Sequence, residues 1–207
     1  MRNEDPNGCR AKDTTIDYIT IHGIDGDFSI QNSGCINDLI SVGIGTLDAP
    51  MSYIDTIFWD WGDGSPVDTT FGSSGVTPGI PPAHAYSTSG TFTVTATVSD
   101  SAYCPKTLTQ DITITSPTAS FNIDFSHICP GQGINAIDNS SGSGAIVNYS
   151  WSAPNASPTS STNQNPGTFV FNNPGTWPIT LSVTDVSGCV DDTIINIDVY
   201  DLVVDAS

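Results

Sequence analysis

The stretch FWDWGDGSP, from Phe58 to Pro66, holds the residues of this chain that are best placed to do chemistry. Asp60 and Asp63 lie three positions apart, beside two tryptophans and two glycines. Paired carboxylates can act as general acid and base, bind a hard cation such as Ca²⁺, or accept backbone N–H groups in a turn. The elements that position these two carboxylates determine which of the three roles is possible.

The composition limits the partners and the fold. Of 207 residues, 22 are acidic and only 4 are Lys or Arg. Nucleic acid and anionic membrane surfaces are therefore poor partners, because binding them requires Lys and Arg. No apolar run reaches the roughly 18 residues of a membrane span. Nearly all the acids are Asp, which favours turns over helices, so we expect many short strands and minimal helix.

An internal repeat organises the chain. Residues 90–114 align without a gap with residues 175–199, at an offset of 85 positions. Apolar residues alternate with threonines in TFTVTATVSD and again in PITLSVTD, which is the pattern of a half-buried antiparallel strand. Several such strands between Gly, Pro, Asn and Ser turns predict a β-sandwich for each repeat.

The repeat also predicts the domain boundaries. The predicted segments are residues 1–24, the last strand or strands of a preceding repeat; 25–116, repeat one; 117–201, repeat two; and 202–207, the start of a following repeat or a linker. The chain is therefore expected to be a piece of a longer array.

Five cysteines recur at equivalent places in the repeats. Their spacing predicts one disulfide in each repeat, Cys35 with Cys104 and Cys129 with Cys189, with the partner of Cys9 lying outside the chain. The alternatives are five buried thiols in a reducing compartment, or a zinc site. The zinc alternative lacks any CxxC pair or Cys/His cluster.

The motif WDWGDGSP followed by HAYSTSGTFTVTATVSD, from His84 to Asp100, resembles the PKD domain (polycystic-kidney-disease repeat). The motif positions in repeat one are Trp59, Trp61, Gly62, Gly64, His84 and Tyr86. Repeat two matches in its second half. There YSWSAPNAS replaces the acidic turn, and Trp151 keeps only the aromatic residue.

The resemblance implies an all-β fold of tandem Ig-like, PKD-type antiparallel sandwiches with about seven strands each. It implies a non-catalytic stalk or adhesive fibre of a large secreted or cell-surface protein, similar to Bacteroidota gliding-motility adhesins exported by type IX secretion. Partners would be other repeats of the same polypeptide, like chains in a fibre, or a surface ligand. The alternative is an accessory module of a secreted hydrolase that binds polysaccharide or collagen through Tyr53, Phe71, Tyr86 and Tyr103.

Calcium is the cofactor that the resemblance implies, because some PKD domains of secreted bacterial collagenases bind it near the start of the domain. The matching ligands here are Asp60, Asp63, Asp100, Asp25 and Asp27. The competing interpretation is a turn in which Asp63 accepts backbone N–H groups and His84 bonds to the same corner. Catalysis is the least favoured role, because a turn on a small sandwich offers no evident cleft.

The resemblance to Bacteroidota proteins also implies O-glycosylation at Asp-Thr/Ser motifs. The candidate acceptors are Thr14, Thr56, Thr69, Ser101 and Thr193.

Overall fold

The computed structural model describes residues 24–45, 47, 54–72, 81–100 and 105–201. These residues form strands and turns, and within those ranges there is no helix. Accordingly, the described part of the chain holds no long apolar helix that could cross a membrane. The chain divides into two compact units between Ile114 and Thr115, two residues before the boundary predicted from the repeat. The predicted all-β, tandem-sandwich fold is confirmed.

Repeat one contains nine strands among its described residues, more than the expected seven because several are short. The strands are β1 (Phe28–Ile30), β2 (Ser33–Cys35), β3 (Leu39–Ile40), β4 (Val42–Ile44), β5 (Ile54–Asp60), β6 (Asp68–Phe71), β7 (His84–Ala85), β8 (Gly90–Asp100) and β9 (Lys106–Thr115). One sheet has the order β2-β9-β8-β5-β6. The pairs β1-β4 and β3-β7 supply core residues that pack against it.

Repeat two contains eleven strands. They are β10 (Pro117–Thr118), β11 (Phe121–Ile123), β12 (His127–Ile128), β13 (Gln132–Asp138), β14 (Ser141–Gly142), β15 (Ile146–Ser152), β16 (Ala156–Ser157), β17 (Ser160–Ser161), β18 (Gly167–Phe171), β19 (Gly175–Asp185) and β20 (Val190–Val199). Its two main sheets have the orders β11-β13-β18-β16 and β12-β20-β19-β15-β17, and β10 pairs with β14.

A long hairpin forms the middle of the larger sheet in each repeat. Strands β8 and β9 pair from Gly90↔Ile114 to Val98↔Lys106, and β19 and β20 pair in the same way along their length. The apolar positions of β8, such as Val94, are buried, whereas its threonines are at least partly exposed. The period-two alternation of the sequence therefore sets which face of the hairpin meets the core.

A short strand near the start of each repeat pairs with the last strand of that repeat. In repeat two, β12 pairs in parallel with β20, and the backbone N–H of Tyr200 donates to the carbonyl of Ile128 at 3.0 Å. In repeat one the N–H of Thr113 donates to the carbonyl of Asn32 at 3.0 Å. The first cysteine of each repeat consequently lies beside the C-terminal end of the last strand.

This register contradicts the predicted bond between Cys129 and Cys189. Cys189 is disulfide-bonded, whereas the thiol of Cys129 is free. Cys189 immediately precedes β20, and Cys129 adjoins the opposite end of that ten-residue strand. Ten residues of strand span about 33 Å, and bonded cysteines need Cα atoms within about 7 Å. The prediction was wrong because it assigned both cysteines to one end of the sandwich.

Cys35 is also disulfide-bonded. Its predicted partner Cys104, like Cys9, lies outside the described residues. Gly34 faces Ile114 near the C-terminal end of β9, while Lys106 begins that strand. Cys35 therefore lies beside the C-terminal end of β9, and its predicted bond to Cys104 stays a prediction.

Candidate functional site

The acidic turn of repeat one is held by its own carboxylates. Asp60, at the end of β5, accepts the backbone N–H of Gly62 at 2.9 Å. Asp63 accepts the N–H of Ser65 through Oδ1 at 3.0 Å, and its Oδ2 lies 2.7 Å from Nε2 of His84. Both carboxylates are therefore engaged with groups of the turn or of the neighbouring strand β7.

Aromatic rings continue from this turn into the core. Trp61 stacks on His84 with ring centroids 4.8 Å apart, and His84 meets Tyr86 edge-on at 4.8 Å. Tyr86 stacks on Phe92 at 4.4 Å and donates its hydroxyl to the carbonyl of Trp61 at 3.1 Å. The turn is thus clamped against β7 and β8 by ring packing as well as by hydrogen bonds.

The electrostatics of the corner follow from these contacts. Partial burial by itself would raise the pKa of Asp63, but hydrogen bonds from Ser65 and His84 and the charge of His84 lower it to about 2. Burial, with a contribution from the Asp63 charge, raises the pKa of Tyr86 to about 12. Asp63 therefore stays ionised as an acceptor, and Tyr86 stays protonated as a donor.

The structure does not bring together the five carboxylates predicted to hold Ca²⁺. Asp60 pairs with Thr95, whereas Asp100 pairs with Ile54 at the other end of the same strand. The six residue steps from Ile54 to Asp60 separate the two carboxylates by about 20 Å. A single site of five ligands is therefore wrong, and no group of three or more His, Cys, Asp or Glu side chains within the described ranges is placed to hold a metal ion.

The remaining predicted ligands lie near the start of repeat one. Asp25 accepts the N–H of its neighbour Gly26 at 2.9 Å, and the carbonyl of Asp27 accepts the N–H of Gly45 at 3.1 Å. Asp100 is buried. Among the described residues these three carboxylates also form no group that could hold a metal ion, and calcium binding by this chain stays a prediction.

Repeat two builds the equivalent corner without carboxylates. Trp151, at the position of Trp59, is buried and donates its indole N–H to the carbonyl of Asn163 at 2.9 Å. The N–H of Ala153 donates to the carbonyl of Thr159 at 2.8 Å. The acidic turn is therefore one of two ways to close this end of the sandwich.

Two partners of the motif tryptophans were missed in the sequence. The indole N–H of Trp61 donates to Asp68 at 2.8 Å, and that of Trp59 donates to Thr70 at 3.0 Å. Both acceptors lie on β6, which pairs with β5. The sequence signal for these two acceptors was the DTT triplet at Asp68, which is also a motif for O-glycosylation.

The exposure of the predicted contact residues is mixed. Phe71 is 73% exposed, whereas Tyr86 is fully buried and cannot serve as a contact aromatic. Tyr53 and Tyr103 lie outside the described residues.

The glycosylation candidates also differ in exposure. Thr69 is exposed and Thr193 is half-buried. The predicted acceptor Thr56 is wrong, because its side chain is buried in β5 and donates to Asp55. Thr14 and Ser101 are outside the described ranges.

The two glycines of the turn give a matched test of its geometry. Both have positive φ, but a Cβ at Gly62 would lie 2.5 Å from the carbonyl oxygen of Thr93, whereas a Cβ at Gly64 meets nothing within 4 Å. We expect Gly64→Ala to cost about 1 kcal/mol, the left-handed penalty alone. Gly62→Ala should cost about 2 kcal/mol more, because backbone has to move. Urea denaturation measures both, and equal costs would contradict the geometry.

The stability conferred by Asp63 should depend on pH. Its folded pKa of about 2 lies below its ordinary value of 3.8, so its stabilisation is present above pH 4 and is lost as the pH falls toward 2. We expect Asp63→Asn, which keeps an acceptor for Ser65, to lower the free energy of unfolding by about 1 kcal/mol at pH 7 after solvent screening. The difference should vanish near pH 2. A difference that is constant across this range would exclude the charge as its cause.

Comparison with known proteins gives the family. The profile described as PKD domain matches residues 29–116 and again residues 115–199. The PKD1 domain of the Vibrio cholerae metalloprotease PrtV is 32% identical over 41% of this chain and 96% of its own, with a TM-score of 0.35. The PKD1 domain of Vibrio anguillarum Epp is 25% identical over 41% of this chain and 93% of its own, with a TM-score of 0.35.

No curated protein matches the chain. The two profile matches nevertheless cover most of its length, and each coincides with one of the two sandwiches. The chain belongs to the PKD domain family, as a tandem of two PKD domains.

Proposed function

We propose that this chain is a mechanical segment of a large secreted or cell-surface protein, in which tandem PKD domains extend and carry tension. Tandem PKD domains and disulfide-bonded cysteines indicate an extracellular protein, and the family is generally a non-catalytic module. The observation that carries the proposal is the pairing of a strand near the start of each domain with its last strand, which is parallel in repeat two.

Repeat two shows this pairing over several residues. His127 pairs with Asp198 and Ile128 with Val199, in parallel. The N–H of Asp198 donates to the carbonyl of Ser126 at 2.9 Å, and the N–H of Tyr200 donates to that of Ile128 at 3.0 Å. We call this set of contacts the terminal clamp.

The terminal clamp lies where a pulling force acts. Tension that reaches β12 and β20 from the two ends of repeat two pulls these strands in opposite directions along their common axis. Because the two strands are parallel, their hydrogen bonds are loaded sideways and together, rather than one after another. Repeat one has the corresponding hydrogen bond between Asn32 and Thr113. Both repeats therefore resist extension at the same place.

The surrounding context is part of the proposal. The tandem resemblance supports export to the surface of a Bacteroidota cell by type IX secretion, with neighbouring repeats or like chains as partners. The net charge of −18 supports an extended array, because like-charged domains repel one another. Thr69 is the acceptor at which O-glycosylation is best supported, since it is exposed.

Single-molecule pulling of the full chain tests the clamp. In a reducing buffer, where no disulfide limits the length of chain that can extend, we expect each repeat to unfold in a separate event that releases roughly 300 Å of chain, less its folded length. Tyr200→Pro removes the donor to Ile128 and should lower the unfolding force of one event only. Tyr200→Ala loses the same ring but keeps the N–H, so it should leave that force close to the wild-type value.

Two results would contradict the mechanical proposal. One is that the wild-type repeats unfold at forces no higher than those of Tyr200→Pro, which lacks the N–H donor of the terminal clamp. The other is an equal loss of force in Tyr200→Ala and Tyr200→Pro, which would assign the resistance to the side chain rather than to the strand pairing.

A second candidate function is binding of an insoluble polysaccharide or collagen, and one patch favours it. Phe58 is 42% exposed and Phe71 is 73% exposed on the outer face of β5 and β6. Phe58 is paired with Thr69, and Phe71 lies two residues further along β6, so the two rings are diagonal neighbours about 7 Å apart. Repeat two has Ser150 at the position of Phe58 and offers no such pair.

Retention on chitin, cellulose and collagen tests this candidate. If the phenyl pair binds, the wild-type chain is retained on one of these supports, and Phe58→Ala with Phe71→Ala abolishes retention. Leu39→Ala is the matched control, because Leu39 is 74% exposed but lies on the short strand β3. Absence of retention of the wild type on all three supports would remove the candidate and leave the mechanical proposal standing.

A further inference from the structure

The free thiol of Cys129 lies at the first position of a tight turn. In the sequence Cys-Pro-Gly-Gln, the N–H of Gln132 donates to the carbonyl of Cys129 at 3.1 Å, and Gly131 has φ +82°. The side-chain oxygen of Gln132 accepts the N–H of Cys129 at 2.8 Å. The N–H of Gly131 donates to the carbonyl of Phe171 at 2.8 Å. These three hydrogen bonds hold the backbone of Cys129 in a fixed turn.

Repeat one builds the same turn around Cys35. The N–H of Asp38 donates to the carbonyl of Cys35 at 3.2 Å, and Asn37 has φ 66° where repeat two has glycine. The N–H of Asn37 donates to the carbonyl of Tyr86 at 2.9 Å, as Gly131 does to Phe171. Cys35 and Cys129 are therefore equivalent in backbone geometry and in partners, and both are half-buried.

The two cysteines differ in their bonding, because Cys35 is disulfide-bonded and Cys129 is not. Cys129 has no partner available in its own domain. Cys189 is already disulfide-bonded and lies at the far end of β20. The position that repeat one uses for a covalent bond is therefore present in repeat two with its thiol unused.

We propose that Cys129 is a covalent junction site, which forms with another PKD repeat the same kind of disulfide that Cys35 forms in this chain. The inference deepens the proposed mechanical role and rests on it for the choice of another repeat as partner. Such a bond would let tension pass between neighbouring repeats without loading a linker alone.

The surface beside the thiol is suited to contact with a protein. Phe125 is 62% exposed and Tyr200 is 56% exposed, and the ring of Tyr200 stacks on that of His127 at 5.7 Å. Phe125 and His127, with Ile128, Gln132 and Gly133, line a hollow of about 450 Å³. Exposed aromatic rings around a concavity are typical of protein contact surfaces, so docking would bring the partner thiol near Cys129.

Bond formation requires an oxidant, and a low-molecular-weight disulfide such as oxidised glutathione suffices. The thiolate of Cys129 displaces one glutathione thiolate to form a mixed disulfide, and the partner thiolate then displaces the second. Two protein thiols and one oxidised glutathione become one protein disulfide and two reduced glutathiones, which take up the two protons.

The experiment uses two forms of the full chain. Non-reducing peptide mapping of the wild type first identifies the cysteine that is bonded to Cys35. Acceptor chains carry Cys35→Ser and Cys129→Ser, which release that partner thiol and prevent self-linkage. Wild-type and ¹⁵N-labelled acceptor chains are mixed in a glutathione redox buffer. We expect a mixed-isotope disulfide between Cys129 and the cysteine that Cys35 had bonded.

A matched control separates a built site from general thiol reactivity. In Cys129→Ser with Ser126→Cys, an exposed thiol lies three residues away and off the turn. We expect this donor to give at least tenfold less cross-linked product than the wild type. Equal yields from both donors, no product from the wild type, or linkage of Cys129 to Cys189 within one chain would overturn the inference. None of these outcomes affects the pulling experiment, so the two proposals fail separately.

Discussion

The contact of one tryptophan with one phenylalanine of the facing layer holds each sandwich together. Trp59 meets Phe28 edge-on at 5.4 Å, and Trp151 meets Phe121 in the same way at 5.0 Å. Both indoles are almost completely buried, and both come from the strand that pairs with the central hairpin. Burial of so large an aromatic surface fixes the spacing and alignment of the layers. The turns, edge strands and acidic corner are arranged around this contact and can vary while it persists.

The two repeats distribute the remaining core volume differently. Repeat one places the large Trp61 beside His84, whose ring stacks on it near the surface. Repeat two places the small Ala153 at the first position and a fully buried Phe169 at the second, opposite Ile134. At these two positions, repeat one therefore has a large residue beside a polar one, and repeat two has a small residue beside a large apolar one. Cores tolerate such exchanges when the total volume is kept, which explains how repeat two lost the acidic turn without losing the fold.

The sequence predicted the elements whose residues carry a period, and it missed those that depend on register. Alternation in β8 and β19 predicted the hairpins and the buried face, and the repeat predicted the division into two domains. The engagement of Asp63 with its turn followed from its spacing to the glycines. Asp68 as the acceptor of Trp61 did not follow, because the pairing of β5 with β6 decides which side chains meet. The prediction of one five-ligand calcium site was wrong for the same reason, because strand register decides which carboxylates lie close together.

The cysteines show how strand direction could have corrected a prediction made from spacing. Equivalence between repeats shows that two entry cysteines, or two hairpin cysteines, occupy the same place in the fold. It does not show that an entry cysteine lies near a hairpin cysteine. In repeat two the short strand β12, near the start of the domain, runs parallel to the last strand β20, so its C-terminal end meets the end of the domain, away from the central hairpin turn. Cys129 follows β12 and Cys189 lies in the hairpin turn, so topology alone separates them by the length of β20. Once the sequence indicates the sandwich, strand direction therefore excludes a disulfide between the entry cysteine and the hairpin cysteine of repeat two, and Cys189 must take its bond from a cysteine other than Cys129.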